Sequence, residues 1–441
     1  MMSCLHRFSR TLAATFFTLL SLGASAGVDI QHWTASTGAR VFFVQASSLP
    51  ILDVQIDFAA GGLYAPRELS GLAGLTHGLL DTGAGAMDEE QIAARLVDTG
   101  AQLSGSVDLD RASLRLRTLT SARERDDSLE LLRTVLSEPS FPAPVLEREK
   151  SRSVSAIRDA DTRPDAIGSR RFAAAMYPDH PYGVQPSVET VEKISRDDLV
   201  RFYRARYQAA NATVAIIGDV TRADAAAIAE RLTAALPKPV IDAKEALPAV
   251  QLPKAETIAL DHPASQSHIF VGMPAVERGH PDYIPLLVGN YTLGGGGFVS
   301  RLMKEVREKR GYAYSVGSSF SPRKQAGPFQ IGLQTKRNQA NTALAVLNEV
   351  LTTFLAEGPS AIELSAAKKN LIDGMALGID SNAKLLGYLS VIGFYGLPLN
   401  YLDAFPRKVE AVTREQVKAA FNRHVRPDHM VTVIVAGDPG S

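Results

Sequence analysis

The sequence predicts an α+β protein made of two domains of the same construction. Three observations carry this. The stretch 191–219, VEKISRDDLVRFYRARYQAANATVAIIGD, returns as 409–438, VEAVTREQVKAAFNRHVRPDHMVTVIVAGD. Both copies hold a capping box, Ser195-x-x-Asp198 and Thr413-x-x-Gln416, followed by a helical apolar pattern and a β-rich run that stops at Gly-Asp. Strand-like runs followed by helical runs occur twice along the chain. Finally, 441 residues exceed one ordinary core, and two domains of roughly 200 residues are the natural prior.

The chain opens on the pattern of a secretory signal. Arg7 and Arg10 form the positive start, Thr11 to Gly23 the apolar centre, and Ala24-Ser25-Ala26 a small-residue cleavage site. The apolar run is too short to span a bilayer. The expected mature protein begins near Gly27 as a soluble, exported chain. The single cysteine, Cys4, falls inside the signal. The mature chain then has no disulfide, thiol nucleophile or thiolate ligand. Export without disulfides suits a bacterial periplasm. The signal removes two of 47 basic residues and none of 47 acidic ones. A net charge near −2 excludes a basic field for nucleic acid or an anionic membrane.

The first domain is expected at 27–235. Val41–Val44 and Ile51–Phe58 alternate like paired strands. A glycine corner, Gly61-Gly62, leads to a helix that starts near Gly71 and carries Leu72, Leu75, Leu79 and Leu80 on one apolar face. A helix over Asp88–Asp98, strands at Ser104–Val107 and Ala112–Leu119, and helices at 122–137, 144–160 and 165–177 follow. Pro178 to Gly183 reads as a turn. The segment 236–265 has five prolines and no sustained period, so it reads as a linker with a short strand around Glu256–Leu260.

The second domain, 266–441, restates the first. Ser267–Met273 is strand-like, and helices are expected at Pro281–Thr292 and Phe298–Lys309. Tyr312–Phe320 and Gly327–Thr335 are strand-like. Helices at 337–357, 360–378 and 382–396 precede the repeated terminus.

This order, with its duplication and its glycine corner before the first long helix, resembles the pitrilysin/insulinase metallopeptidase family, which includes the mitochondrial processing peptidase and its bacterial relatives. The resemblance covers nearly the whole mature chain. It implies two homologous α/β sandwich domains in a clamshell arrangement. Active members carry the inverted motif H-x-x-E-H on the opening helix, with a glutamate on a later helix as third zinc ligand. Aligned on Gly71-Leu72-Ala73, Gly74 stands at the first histidine, His77 at the catalytic glutamate and Gly78 at the second histidine. Ala156 stands at the third ligand, an alignment that rests on Glu149 and Ile157. Three ligands and the general base are missing together. A catalytic zinc needs about three protein donors, and Gly74, Gly78 and Ala156 supply none. His77 and Asp81, at i and i+4, share a helix face as a solvated or hydrogen-bonded pair, or as two donors toward a metal. His180, His262, His268 and His280 show no ligand spacing, and His424 and His429 belong to the repeated terminus.

In this family the C-terminal half of a unit, or of its partner subunit, supplies an arginine and a tyrosine in an R-x6-Y pattern that stabilises the developing oxyanion. Here 306–316 read Val-Arg-Glu-Lys-Arg-Gly-Tyr-Ala-Tyr-Ser-Val. Arg307 and Tyr314 have that spacing, with Tyr312 as a rival. Taken alone, Arg307 is one charge of a basic face with Lys304 and Arg310, and Tyr314 a packed strand residue. The run Gly294, Gly295, Gly296, Gly297 lacks the G-K-[ST] of a phosphate loop. It reads as a close packing turn, or by resemblance as a substrate-binding loop. No Gly-x-Ser-x-Gly motif occurs.

The resemblance implies an exported subunit without zinc. Its partner would be a homologous chain bearing the intact zinc motif, the two forming a heterodimer that hydrolyses peptides. The alternative is a scaffold of the same fold that holds a peptide or partner without cleavage. A third reading is a self-sufficient peptidase with an unusual metal at His77.

Overall fold

The computed structural model describes residues 28–238 and 247–437. The expected signal, 1–26, with its cleavage site at Ala26, lies outside the described residues, as do 239–246 of the expected linker and Asp438 of the second Gly-Asp stop.

The first half contains β1 (Gln31–Thr34), β2 (Arg40–Gln45), β3 (Ile51–Phe58), α1 (Leu72–Gly78), a small ladder of β4 (Gly83–Ala84) and β5 (Met87–Asp88), α2 (Glu89–Thr99), β6 (Gln102–Val107) and β7 (Ala112–Leu119). Then come α3 (Ala122–Ser137), α4 (Ala143–Ala160), α5 (Pro164–Met176), α6 (Val188–Lys193), α7 (Arg196–Arg206), β8 (Ala212–Gly218) and α8 (Arg222–Thr233). Six strands form one open sheet in the order β1-β2-β8-β3-β7-β6. Only β2 and β8 pair in parallel.

The second half contains β9 (Glu256–Leu260), β10 (Gln266–Val276), α9 (Tyr283–Asn290), β11 (Ala313–Phe320), β12 (Gly327–Lys336), α10 (Ala340–Glu357), α11 (Ala361–Gly378), α12 (Asn382–Tyr395), α13 (Tyr401–Ala411), α14 (Arg414–His424) and β13 (Val431–Val435). Its sheet runs β9-β13-β10-β12-β11. This is the order β2-β8-β3-β7-β6 again, with the one parallel pair, β9 and β13, in the same place. The repeated sequence therefore builds a repeated unit. Both capping boxes form: Ser195 Oγ accepts from the Asp198 N–H and Thr413 Oγ1 from the Gln416 N–H. β9 lies inside the span read as linker, so the second sheet starts ahead of residue 266.

Each sheet is covered on both faces. Along β8, Val214 and Ile216 enter the main core of the first half. Ala215 and Ile217 face the other way, onto Leu385, Leu389 and Ile392 of α12, a helix from the second half. The second half mirrors this. Ile269 and Val271 of β10 enter its own core, whereas Val431, Val433 and Val435 pack on Phe172 and Met176 of α5, a helix from the first half. The halves thus exchange helices. A polar layer closes the seam. Buried Asp110 accepts hydrogen bonds from the hydroxyls of Tyr182 (2.5 Å) and Tyr395 (2.8 Å) and from the Lys324 N–H (2.8 Å).

β1, the β4–β5 ladder, α6, α8 and α13 are elements that the sequence reading did not place. The helix expected over Phe298–Lys309 is broken. A 3-10 turn at Gly297–Val299 leads to a π-helical turn over Met303–Glu308, in which the Lys309 N–H reaches the Lys304 carbonyl (3.0 Å). Another π turn, Tyr291–Gly295, follows α9.

Candidate functional site

α1 starts at Gly71, whose φ of 107° suits glycine alone. The Leu75 N–H bonds the Gly71 carbonyl (2.9 Å). Leu72 and Leu75 of α1 are buried in the first core as the apolar spacing predicts, and Leu79 and Leu80, expected on the same helical face, are buried there from the turn just past the helix end at Gly78. Gly74 and Gly78 lie on the opposite, exposed face. A Cβ built on either meets no atom within 4 Å, so packing does not require glycine there. Ala156 is also exposed, on α4. Nearby Glu149 is held by Arg148 (2.8 Å) and Arg152 (2.7 Å).

His77 is the one imidazole on this helix. It packs against β6 so closely that a Cβ on Gly105 would lie 2.3 Å from its Nε2. Its Nδ1 is buried without a hydrogen-bond partner. Burial pushes its pKa down to about 4, so the ring is neutral near pH 7. Among the described residues, no hydrogen bond or ion pair joins it to Asp81. A catalytic zinc needs about three protein ligands and an open position. Gly74, Gly78 and Ala156 have no donor atom, and one imidazole does not make a site. The donor set at α1 does not fit zinc.

The other sequence-predicted pair lies in the second half. Arg307 sits in the π-helical turn with its guanidinium 4.7 Å from the centre of the Phe298 ring. Its neighbours Lys309 and Arg310 are both held by Glu305 (2.6 Å each), while Arg307 has no ion pair among the described residues. The basic face is therefore not uniform. π turns inside helices concentrate at functional sites. Tyr314 lies on β11, at the sheet edge. Pairing with β12 steps from Ala313 opposite Thr335 to Val316 opposite Leu333. This three-against-two step is a β-bulge, a device that re-aims side chains. Ala313 and Val316 stay buried, and Tyr314 is 78% exposed. Tyr312 packs partly buried on the second core, so of the two tyrosines Tyr314 is the one presented to solvent. Phe298 (63% exposed) and Val299 (53%) lie on the adjoining turn. A guanidinium and a phenol can both donate hydrogen bonds to a carbonyl oxygen.

Packing accounts for most of the glycine run. A Cβ on Gly294 would lie 2.5 Å from the Ser318 nitrogen, one on Gly295 2.5 Å from Asn290 Nδ2, and one on Gly296 2.5 Å from the Tyr291 carbonyl oxygen. Gly297 alone faces open space, with φ of +61°.

The fold also assembles a group that spacing could not reveal. His280, Asp282 and His424 bring potential ligand atoms within 4.8 Å of one another. The group is internally satisfied. Asp282 accepts two bonds from Arg423 (2.9 Å each) and faces His424 Nε2 at 2.9 Å. His424 Nδ1 is 3.1 Å from the Ala275 carbonyl, and His280 Nδ1 accepts the Asp282 N–H. This is a lock between α9 and the end of α14. His180 has a similar role at the seam, 2.6 Å from Gln325 Oε1.

Comparison with known proteins adds to this geometry. A profile described as "Peptidase M16 inactive domain" matches residues 193–371. A crystal structure of a peptidase M16 inactive domain from Pseudomonas fluorescens is 35% identical, superposes with a TM-score of 0.89, and covers 94% of this chain and 99% of its own. The "Non-peptidase homolog YmxG" of Helicobacter pylori is 25% identical over 433 residues, spanning 96% of this chain and 98% of that protein. The periplasmic protease PqqL of Escherichia coli shares the fold at 18% identity and a TM-score of 0.79. The match takes in 97% of this chain and 49% of PqqL.

Proposed function

The chain belongs to the peptidase M16 family as an inactive-type member, and from that premise we propose that it is the zinc-less subunit of a two-chain peptidase. A homologous chain with an intact H-x-x-E-H would hold the zinc and the general base. This chain would close the chamber and present Arg307 and Tyr314 to the scissile carbonyl. The substrate class is extended peptide.

One observation carries the reading. The residue types needed to bind zinc are absent from α1, while the R-x6-Y segment keeps a half-buried Arg307 with no ion pair among the described residues and an exposed Tyr314. Arg307 lies over the Phe298 ring, and Tyr314 sits at a bulge in β11. Loss of function without a remaining role predicts erosion of both sites. Donors fixed where negative charge develops are worth about 100- to 1000-fold in turnover. The match to PqqL takes in 49% of that longer chain, and a separate partner would supply a second unit here. The n-region, apolar centre and Ala24-Ser25-Ala26 support export to the periplasm, and no helix of the described residues is long and apolar enough to cross a membrane.

The test mixes this chain with a zinc-bearing homologue and follows cleavage of a fluorogenic peptide. Each chain alone should be nearly inactive and the mixture active. Arg307→Ala and Tyr314→Phe should each lower the mixture's kcat by about 100-fold or more while leaving complex formation intact. Full activity with both substitutions in place would remove the catalytic role. Peptide binding without cleavage by any mixture would favour the scaffold reading.

A further inference from the structure

Two adjoining clefts, of about 380 and 410 Å³, open among α9, α11, α12 and α13, and both are lined by Arg278, Tyr283, Tyr401 and Phe405. No aspartate or glutamate lines either one. Lys408 and His280 line the first, and Met375 and Val391 add apolar wall to the second. Arg278 makes no ion pair among the described residues, and its Nε is buried without a hydrogen-bond partner. The guanidinium instead lies 5.8 Å from the Tyr283 ring centre and 5.4 Å from that of Tyr395. The guanidinium is half-buried, and a cation at a cleft wall with no counter-anion and one shielded, unused N–H is a ready partner for an incoming carboxylate.

We infer that this is a binding site for a carboxylate carried on an apolar body, with Arg278 as the anion's partner and the tyrosine-lined walls enclosing the hydrocarbon. Burial raises Tyr283 and pushes Tyr401 up to about 12. Both phenols therefore stay protonated at neutral pH and can donate to the carboxylate beside the guanidinium. The mostly apolar lining with a few convergent polar groups is the usual make-up of a small-ligand pocket. Aliphatic and aromatic walls disfavour a bare inorganic anion, which would lose hydration without covering them. The site involves neither Arg307 nor Tyr314 and stands independently of the peptidase reading.

The experiment is calorimetric titration of the whole chain with N-acetylphenylalanine, its primary amide, and a hexapeptide ending in phenylalanine with a free carboxylate. The acid should bind once per chain, at least ten-fold more tightly than the amide. Arg278→Met should weaken the acid ten-fold or more, and Arg278→Lys should recover part of the loss. Gly374→Leu provides a variant that keeps the guanidinium. Gly374 lines the second cleft from α11, and a Cβ there meets nothing within 4 Å, so a leucine fills the cleft without disturbing the helix and should also weaken binding. Hexapeptide binding equal to that of the acid identifies a chain terminus as the ligand; binding of the acid alone identifies a free small carboxylate. Equal affinity for acid and amide, wild-type affinity in both Arg278→Met and Gly374→Leu, or no saturable binding of the acid or the hexapeptide at millimolar concentration would overturn the inference.

Discussion

His77 shows how much one side chain reveals and conceals. The resemblance sets it at the glutamate position of the family motif, and its place on α1 was legible from the helical pattern after Gly71. Its surroundings were not, because Gly105 of β6 reaches it only through the fold. Burial depresses its pKa from 6.5 to about 4, and this has a consequence for stability. The unfolded chain takes up a proton at His77 as pH falls through about 6.5, whereas the folded chain stays neutral until about 4. The unfolded state then binds more protons, so stability rises with pH across this window. The contribution is fully present above about 6.5 and lost progressively down to about 4. Its size is on the order of 1–3 kcal/mol. Denaturant titrations at pH 7 and pH 4.5 should therefore show a smaller loss for His77→Gln than for the wild type. An equal loss in the two proteins would mean that the imidazole titrates normally. The neighbouring Gly74 and Gly78 carry the opposite lesson. Sequence identified them by what they cannot donate, and the structure adds that space is open for a side chain at both.

At the scale of elements, local pattern placed the strands and helices far better than it placed their partners. The spans Ile51–Phe58, Ala112–Leu119 and Glu256–Leu260 match the observed strands, and α3 matches 122–137. The elements that escaped have physical reasons. β1 is a short edge strand whose burial merely alternates between partial and none. The π-helical turn at Met303–Glu308 has the composition of an ordinary helix, and no helical periodicity distinguishes the two. The destinations of α5 and α12 were illegible because both are apolar enough to pack on either sheet. Their glycines record the choice. A Cβ on Gly393 of α12 would lie 2.5 Å from Thr213 Cγ2 and 2.7 Å from the Phe42 ring. A Cβ on Gly168 of α5 would lie 2.6 Å from the Phe270 ring and 2.8 Å from Val435. Each exchanged helix thus presents a glycine where it presses on the other half's sheet. Gly168→Ala and Gly393→Ala should each destabilise by about 1–3 kcal/mol through overpacking. Gly387, also on α12, has no such neighbour, and Gly387→Ala should stabilise by about 0.5–1 kcal/mol. Thermal unfolding of the three variants reads this directly. Equal midpoints for Gly387→Ala and Gly393→Ala would show that helix α12 is not seated on that sheet.

For the whole molecule, duplication suggests two domains that could fold separately, and the exchange of helices argues the reverse. Without α12, the first sheet would expose Phe42, Val44, Ala215 and Ile217, which it now buries. Without α5, the second would expose Val431, Val433 and Val435. Asp110 would lose the Tyr395 hydroxyl and the Lys324 N–H, two of the groups that satisfy it. A buried carboxylate stripped of partners costs several kcal/mol. Each half alone is therefore an open-faced unit, and the chain should unfold in a single transition. A cut within 239–246 severs the connection between the halves while leaving all these contacts in place. Fragments ending and beginning there should each bind a hydrophobic dye or aggregate when produced alone. Mixed in equal amounts during refolding, they should form a stable one-to-one complex with the circular dichroism of the intact chain. If either fragment proved monomeric, cooperative and dye-free alone, the exchanged helices would be decoration on two independent domains. The rigid pair predicted here has a direct bearing on the proposed function. If the two halves cannot move apart, opening and closing of a peptide chamber must occur between this chain and its partner, and a cross-link between the two halves of this chain should leave the mixture's turnover unchanged.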